Sequence, residues 1–137
     1  MIIYIDENMP SLLAKGMNLL QSPLNRSAQD PIEVRAIQDD FGKGAQDEDW
    51  IPEAGKLDAC IITQDFNIHR IRNQQELCKK CNLGMFYFKP PSKNGFSYWD
   101  MVSIVVKHWP EICNIAINEN RPFAYKITPK GKVEKLK

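Results

Sequence analysis

Residues 59–65 read Ala-Cys-Ile-Ile-Thr-Gln-Asp, a short run of apolar and β-branched residues that ends at a carboxylate. Residues 2–6, Ile-Ile-Tyr-Ile-Asp, have the same form. Strands that are buried on both faces of a parallel sheet have this composition. The two stretches therefore predict parallel strands, each with an acidic side chain at or just beyond its carboxyl end.

Strand and helix patterns alternate along the rest of the chain. The predicted strands are 2–6, 32–37, 59–63 and 85–88, and the predicted helices are 8–21, 47–57, 67–80 and 98–116. Residues 21–30 are predicted to form a loop, Pro110 to bend or interrupt the last helix, and Phe123–Leu136 to form a β-hairpin. The alternation favours right-handed βαβ crossovers, so we expect an α/β fold with a central, mainly parallel sheet and a site at its carboxyl edge.

Length and composition limit the class of protein. The chain has 137 residues, of which 43% are hydrophobic and 26% charged, so we expect one domain spanning 1–137 rather than a disordered or fibrous chain. The first residues have no basic segment followed by a long apolar run, and we expect a cytoplasmic protein with no membrane contact. Cys78-x-x-Cys81 has zinc or redox spacing, but no second cysteine pair follows and a structural role is the favoured interpretation.

The net charge of +1 conceals a strong asymmetry. Up to and including Asp65 the chain carries 12 acids and 5 bases, whereas the remainder carries 5 acids and 13 bases. An acidic half joined to a basic half is typical of a metal site beside a surface that binds a polyanion. Chance and a solvated basic tail are the alternative explanation.

Three acidic clusters are predicted to meet at the carboxyl edge of the sheet. They are Asp6-Glu7, Asp47-Glu48-Asp49 and Asp65. Carboxylates that lie close together repel unless a cation neutralises them, and hard oxygen ligands favour Mg²⁺ or Mn²⁺. Phosphodiester hydrolysis is the chemistry that such a site serves best. Each acid alone also fits a structural role, as a helix cap, a charge near a helix N-terminus or the end of a strand.

Three motifs resemble the acidic blocks of PIN-like domains: Ile-Asp-Glu-Asn-Met-Pro at 5–10, Gly-Ala-Gln-Asp-Glu-Asp-Trp-Ile at 44–51 and Ile-Ile-Thr-Gln-Asp-Phe-Asn-Ile at 61–68. The resemblance is closest to the branch related to VapC-type toxins of toxin–antitoxin pairs. It implies a three-layer α/β/α fold with a C-terminal hairpin and a Mg²⁺- or Mn²⁺-dependent endoribonuclease. The partners that it implies are an RNA substrate, a cognate antitoxin protein and a second copy of the chain in a homodimer.

The resemblance also implies roles for individual residues. The predicted catalytic residues are Asp6, Asp49 and Asp65, with Asp49 pointing inward from the first turn of its helix. The same three acids and Asp47 are the predicted metal ligands, and Glu48 and Asn67 are further candidates. Many relatives carry an acid where this chain has Asn67, so a PIN-like module that binds RNA or protein without cleavage is an alternative.

Basic residues near the same edge of the sheet are candidates for binding RNA. They are Arg70, Arg72, Lys89 and Lys93. Phe96, Tyr98 and Trp99 offer faces for stacking on unpaired bases, although we expect at least one of them to pack into the core. A receiver-like phosphoacceptor domain is a second alternative, because Lys89-Pro90 resembles the Lys-Pro element of that family. Lys89, however, follows the fourth predicted strand, where a receiver requires an additional βα unit.

Overall fold

The computed structural model describes residues 1–64 and 68–136. Within them lie the strands β1 (Ile2–Ile5), β2 (Glu33–Ala36), β3 (Cys60–Gln64), β4 (Gly84–Phe88), β5 (Phe123–Ile127) and β6 (Val133–Lys135). One sheet contains all six in the order β2-β1-β3-β4-β5-β6. The first five strands pair in parallel, and β6 pairs antiparallel with β5. The predicted mainly parallel sheet and C-terminal hairpin are confirmed.

Helices cover both faces of this sheet. They are α1 (Ser11–Asn25), α2 (Ile37–Phe41), α3 (Asp47–Lys56), α4 (Ile68–Cys81) and α5 (Tyr98–Asn118). Side chains alternate between the faces of a strand, so Ile3 and Ile5 pack in one core cluster with α1 and α5. Tyr4 points the other way and packs in a second cluster with Trp50 of α3 and Cys78 of α4. The three-layer α/β/α arrangement is therefore confirmed.

Helix α1 spans Ser11–Asn25, so it begins and ends later in the sequence than the predicted 8–21. Part of the predicted loop is helical, because α1 continues through Pro23 to Asn25. A proline has no N–H to donate to the carbonyl four residues earlier, which here belongs to Leu19. The Ser22 hydroxyl donates to that carbonyl instead, at 2.8 Å. The local cost of the proline is thereby reduced and the helix continues.

Helix α5 passes through Pro110 without ending. It runs for 21 residues, and the Ser97 hydroxyl caps its start by accepting a hydrogen bond from the Asp100 N–H. The predicted interruption at Pro110 is therefore wrong. Met101, Val105 and Trp109 are buried at helical spacing and hold the helix on the sheet on both sides of the proline. None of the helices in residues 1–64 and 68–136 is both long and apolar enough to cross a membrane.

Charged side chains line both edges of the sheet. On β2, Arg35 pairs with Glu33 at 2.8 Å and with Asp40 of α2 at 3.1 Å. On β6, Glu134 pairs with Lys132 at 3.2 Å and with Lys126 at 3.6 Å. Such charges keep the exposed backbone of an edge strand in water.

The strand order places a crevice between β1 and β3. From β1 the chain moves outward to β2, and β3 then returns to the opposite side of β1. In open α/β sheets, ligands bind at such a reversal, outside the carboxyl ends of the strands. Asp6 follows β1 directly and Gln64 ends β3, so both lie at this crevice.

Candidate functional site

Asp6 is a buried carboxylate at the crevice between β1 and β3. Only 2% of the residue is exposed. The Thr63 hydroxyl donates to its Oδ2 at 2.7 Å, and the Glu7 backbone N–H donates to its Oδ1 at 2.8 Å. The backbone N–H of Asp6 donates to the Ile62 carbonyl at 2.9 Å. These bonds fix the orientation of the carboxylate relative to both strands.

Burial raises the pKa of Asp6 above the ordinary value, since removal from water disfavours the charged form. Hydrogen bonds from Thr63 and Glu7 and the charge of Arg70 oppose that shift, while the charge of Asp47 adds to it. A nearby cation stabilises the charged form of a buried carboxylate more than that of an exposed carboxylate, because less water screens the interaction. Asp6 is thus suited to hold a cation or a proton.

Asp47 and Asp6 both approach the side chain of Arg70. The guanidinium of Arg70 donates to both oxygens of Asp47, from Nε and Nη2, each at 3.2 Å. Its Nη2 also lies 3.9 Å from Asp6 Oδ2. Gln74, which is fully buried on α4, donates to Asp47 at 3.3 Å. Residues from β1, α3 and α4 therefore form one charged cluster at the crevice.

The position of Asp47 on α3 leaves its side chain available for this pairing. Gln46 occupies the N-cap and Asp47 is the first helical residue. Asp49 lies two positions later, a rotation of about 200° around the helix axis. Trp50, Ile51 and Ala54 form the buried face of α3, whereas Glu48 and Asp49 are exposed. The predicted inward orientation of Asp49 is wrong, and Asp47 is the member of this acidic block that faces Asp6.

Two predicted site residues, Asp65 and Asn67, lie outside the described residues. The carboxyl end of β3 next to them is well connected to the segment after β1. Gln64 Nε2 donates to the Asn8 carbonyl at 2.9 Å, and the Asn8 side chain donates to Thr63 Oγ1 at 3.3 Å and also to the Gln64 carbonyl. The sequence predicted no role for Asn8, Thr63 or Gln64, although the first and third motifs contain them.

Glu7 fixes the loop that precedes α3. Its Oε2 accepts a hydrogen bond from the Gly44 N–H at 2.9 Å. Gly44 adopts a φ of 79°, which favours glycine because a side chain is strained there. Glu7 therefore has a structural partner, and it positions the loop that leads to Asp47.

A cleft of about 500 Å³ opens beside the cluster. Its walls come from the segment after β1, the loop and first turn of α3, and α4. The lining residues include Glu7, Asp47, Glu48 and Arg70. Asp47 and Arg70 are therefore accessible to a polar ligand from solvent, whereas Asp6 is buried.

The predicted RNA-binding residues occupy two kinds of position. Arg70 lies within the acidic cluster, whereas Arg72, Lys89 and Lys93 are exposed. Trp99 and Tyr98 are also exposed, at 73% and 46%. Phe96 packs partly against the core, as expected for at least one of the three aromatic residues.

The donor chemistry of the cluster fits a hard divalent cation. Asp6 and Asp47 offer carboxylate oxygens of the kind that Mg²⁺ and Mn²⁺ prefer. In residues 1–64 and 68–136, no group of three or more His, Cys, Asp or Glu side chains could hold a metal ion. The described part of the site thus supplies two acids, and Arg70 places one positive charge beside them.

The Cys78-x-x-Cys81 pair lies apart from this chemistry. Both thiols are free, and Cys78 belongs to the core cluster between the sheet and α3–α4. Burial raises the pKa of Cys78 to about 12. A thiol that stays protonated is a poor nucleophile and a poor metal ligand, so packing is the role that this geometry favours.

Replacing Thr63 tests how Asp6 is held. We expect Thr63→Val to raise the pKa of Asp6 further and to reduce the free energy of unfolding at pH 7 by about 1–3 kcal/mol, since a buried carboxylate oxygen loses its donor. The deficit should shrink as the pH falls and Asp6 becomes protonated, because the Thr63 bond stabilises the charged form. Urea denaturation at several pH values measures this effect. Thr63→Ser keeps the hydroxyl and should stay near the parent; equal losses for both variants would contradict the role of the bond.

Comparison with known proteins gave one match. A family model described as a PIN-like domain matches residues 1–90. The matched range contains β1 to β4 and both acids of the cluster, and it ends before α5 and the hairpin. No curated protein and no solved structure shows significant similarity to the chain.

Proposed function

The family model covers 90 of the 137 residues, so the chain belongs to the PIN-like domain family, which includes nucleases, and on this premise we propose that it is a metal-dependent endoribonuclease. The observation that carries the proposal is the buried Asp6 carboxylate, fixed at the strand crossover beside Asp47. Two carboxylates that lie close together repel each other, and a bound cation reduces that repulsion. A metal-dependent nuclease needs such a pair of acids to hold its ion.

In this proposal Asp6 and Asp47 hold Mg²⁺ or Mn²⁺, with Asp65 as a third ligand predicted from the sequence. When bound, the ion supplies positive charge to the phosphate and lowers the pKa of water. Thr63 and the Glu7 N–H hold Asp6 in one orientation, so the ligand needs no rearrangement to bind the ion. Gln74 also helps to orient Asp47, whose two oxygens accept from Arg70 in this structure.

Arg70 has a second role in the proposed mechanism. Its guanidinium donates to both oxygens of Asp47, and a phosphate presents the same pair of acceptors. We assign Arg70 to the phosphate at the cleavage position, for which its guanidinium would exchange the Asp47 carboxylate for the phosphate oxygens. The exposed Arg72, Lys89 and Lys93 then bind neighbouring phosphates, and Tyr98 and Trp99 provide stacking surfaces for unpaired bases.

The proposal extends to biological context. The likeness of the three acidic blocks to VapC-type toxins supports a toxin of a toxin–antitoxin pair, with an antitoxin protein as partner and a homodimer as assembly. We place its action in the cytoplasm, where RNA is available. A neighbouring gene for a short antitoxin-like DNA-binding protein would support the toxin assignment, and an isolated gene would favour RNA processing.

RNA binding without cleavage is a second candidate, and one observation favours it. Arg70 already neutralises Asp47 and approaches Asp6, so part of the negative charge of the cluster is compensated without an added ion. The receiver-like alternative is not retained, because the family match is to PIN-like domains and Lys89 directly follows β4.

Cleavage of single-stranded RNA by the full chain tests the proposal. We expect cleavage with Mg²⁺ or Mn²⁺ and none with EDTA. Asp47→Asn should lower the rate by about 100-fold or more, because it removes a proposed metal ligand, while the matched variant Asp49→Asn, on an exposed side chain, should stay within about twofold of the parent. RNA binding without any cleavage would favour the second candidate, and cleavage that survives EDTA would exclude the metal-dependent mechanism.

A further inference from the structure

A second cavity, of about 330 Å³, lies near the carboxyl ends of β4 and β5, on the side of the sheet that α5 covers. Its walls are α5, the loop between β4 and α5, and the turn that joins β5 to β6. It shares no lining residue with the acidic cleft. The residues that give it chemical character are Phe96, Asp100, Ser103, Lys107, His108 and Gly131.

His108 is buried in this wall without a complete set of partners. Only 6% of the residue is exposed, and its Nε2 has no hydrogen-bond partner within the described residues. A buried ring nitrogen without a partner costs free energy, and native structures retain few such groups. Since His108 lines the cavity, a ligand placed there would satisfy it.

Lys107 and His108 converge over Gly131. A Cβ built on Gly131 would lie 3.2 Å from Lys107 Nζ and 3.4 Å from His108 Nε2, so both nitrogens are close to one point in space. The turn beneath them is well fixed: the Gly131 N–H donates to the Thr128 carbonyl at 2.9 Å, and the Lys132 N–H donates to Thr128 Oγ1 at 3.0 Å. Two nitrogens of α5 beside a fixed turn suit an anionic oxygen, as in a phosphate, once His108 Nε2 carries a proton.

Other residues that line the cavity suit a planar base. Phe96 packs partly against the core and also lines the cavity, so its ring is held in place. Aromatic side chains of this kind stack on unpaired bases. Asp100 and Ser103 add a hydrogen-bond acceptor and a hydroxyl for the polar edge of a base. The volume is near the lower limit of about 300–1,000 Å³ for small-molecule sites and fits one nucleotide.

We propose that this cavity binds a single nucleotide unit, with its phosphate on Lys107 and His108 and its base on Phe96. If the proposed ribonuclease function holds, on which this second step rests, the nucleotide belongs to the RNA strand that enters the acidic cleft. Gly95, next to Phe96, lies against Gln64, which bonds to Asn8 at the edge of the acidic cluster. The ends of β3 and β5 are two strand spacings apart, roughly 10 Å.

Binding of AMP to the full chain in EDTA tests the site without requiring cleavage. We expect AMP to bind in calorimetry or in NMR titration. Adenosine and inorganic phosphate should each bind with an affinity at least about tenfold lower, since each fills half of the site. Lys107→Ala removes an exposed side chain and should weaken AMP binding about tenfold. Lys15→Ala, at an exposed position of α1, is the matched control and should leave AMP binding unchanged.

His108→Leu is the second variant. We expect it to fold, because it removes the buried nitrogen that lacks a partner, and to weaken AMP binding as Lys107→Ala does. Absence of AMP binding to the parent, or binding that both variants leave intact, would overturn the proposal. The two functions fail separately: AMP binding with no RNA cleavage leaves this site standing, whereas cleavage without AMP binding removes only this site.

Discussion

Asp6→Asn is expected to lower metal-dependent RNA cleavage by about 100-fold or more. Changes to residues that merely support a metal ligand cost about 10–100-fold, and the loss of a ligand should reach at least the upper end of that range. Asparagine keeps the size of the side chain and can still accept from the Glu7 N–H, so the fold around β1 is preserved. Cleavage assays beside far-UV circular dichroism separate lost chemistry from lost structure.

The same substitution should stabilise the metal-free protein at pH 7. Burial raises the pKa of Asp6 above its ordinary 3.8, so the folded state binds the proton more tightly than the unfolded state does. Stability from that proton is present below pH 3.8 and is lost as the pH rises through the raised pKa. Asparagine carries no charge at any of these pH values, so the variant does not lose stability as the pH rises through the pKa of Asp6.

Thermal melts in EDTA at neutral and acidic pH check this second effect. The gain in melting temperature should be present at pH 7 and should disappear where Asp6 is protonated. Asp49→Asn changes an exposed carboxylate and serves as the control for both measurements. Unchanged cleavage by Asp6→Asn would remove Asp6 from the site, and a lower melting temperature at pH 7 would contradict the cost assigned to its burial.

Trp50→Ala should cause the largest loss of stability, about 3–5 kcal/mol in the free energy of unfolding. Trp50 is 2% exposed and anchors α3 in the core cluster, where its ring lies 6.5 Å from that of Phe41. Removing it leaves a cavity beneath the helix that carries Asp47. Cleavage should therefore fall as well, since the position of Asp47 depends on that anchor.

Trp99→Ala is the matched control for this loss. Trp99 is 73% exposed, and the same chemical change there should alter the free energy of unfolding by no more than about 0.5 kcal/mol. Urea denaturation followed by far-UV circular dichroism measures both variants without relying on tryptophan fluorescence. Similar losses for the two would mean that α3 is not held by the core contact described above.

The parallel sheet was predictable because its strands carry a strong local signal. Ile2–Ile5 is a continuous apolar run and Cys60–Gln64 begins with one, as expected for strands that are buried on both faces. Helix α2 was missed because it has only five residues and begins at Ile37, which also fits the alternation of the preceding strand. The extension of α1 past Pro23 depends on a hydroxyl that happens to reach the orphaned carbonyl, and periodicity cannot show that.

The site was predictable in outline but not in its choice of side chains. Asp6 follows from its place at the end of a buried strand. The selection of Asp47 over Asp49 depends on which side of α3 packs on the core, and both residues lie in a first turn where acids are favourable in any case. The bond between Asp47 and Arg70 joins residues 23 positions apart, so only the packing of α3 on α4 reveals it.

The charged margins of the sheet also have a consequence for assembly. Ion pairs line β2 at one margin and β6 at the other, where a further strand would have to align its backbone with the sheet. Extension of the sheet into a fibril or a strand-exchanged pair would bury those charges, which disfavours it. The same charges that support each margin thus also protect the sheet against unwanted polymerisation.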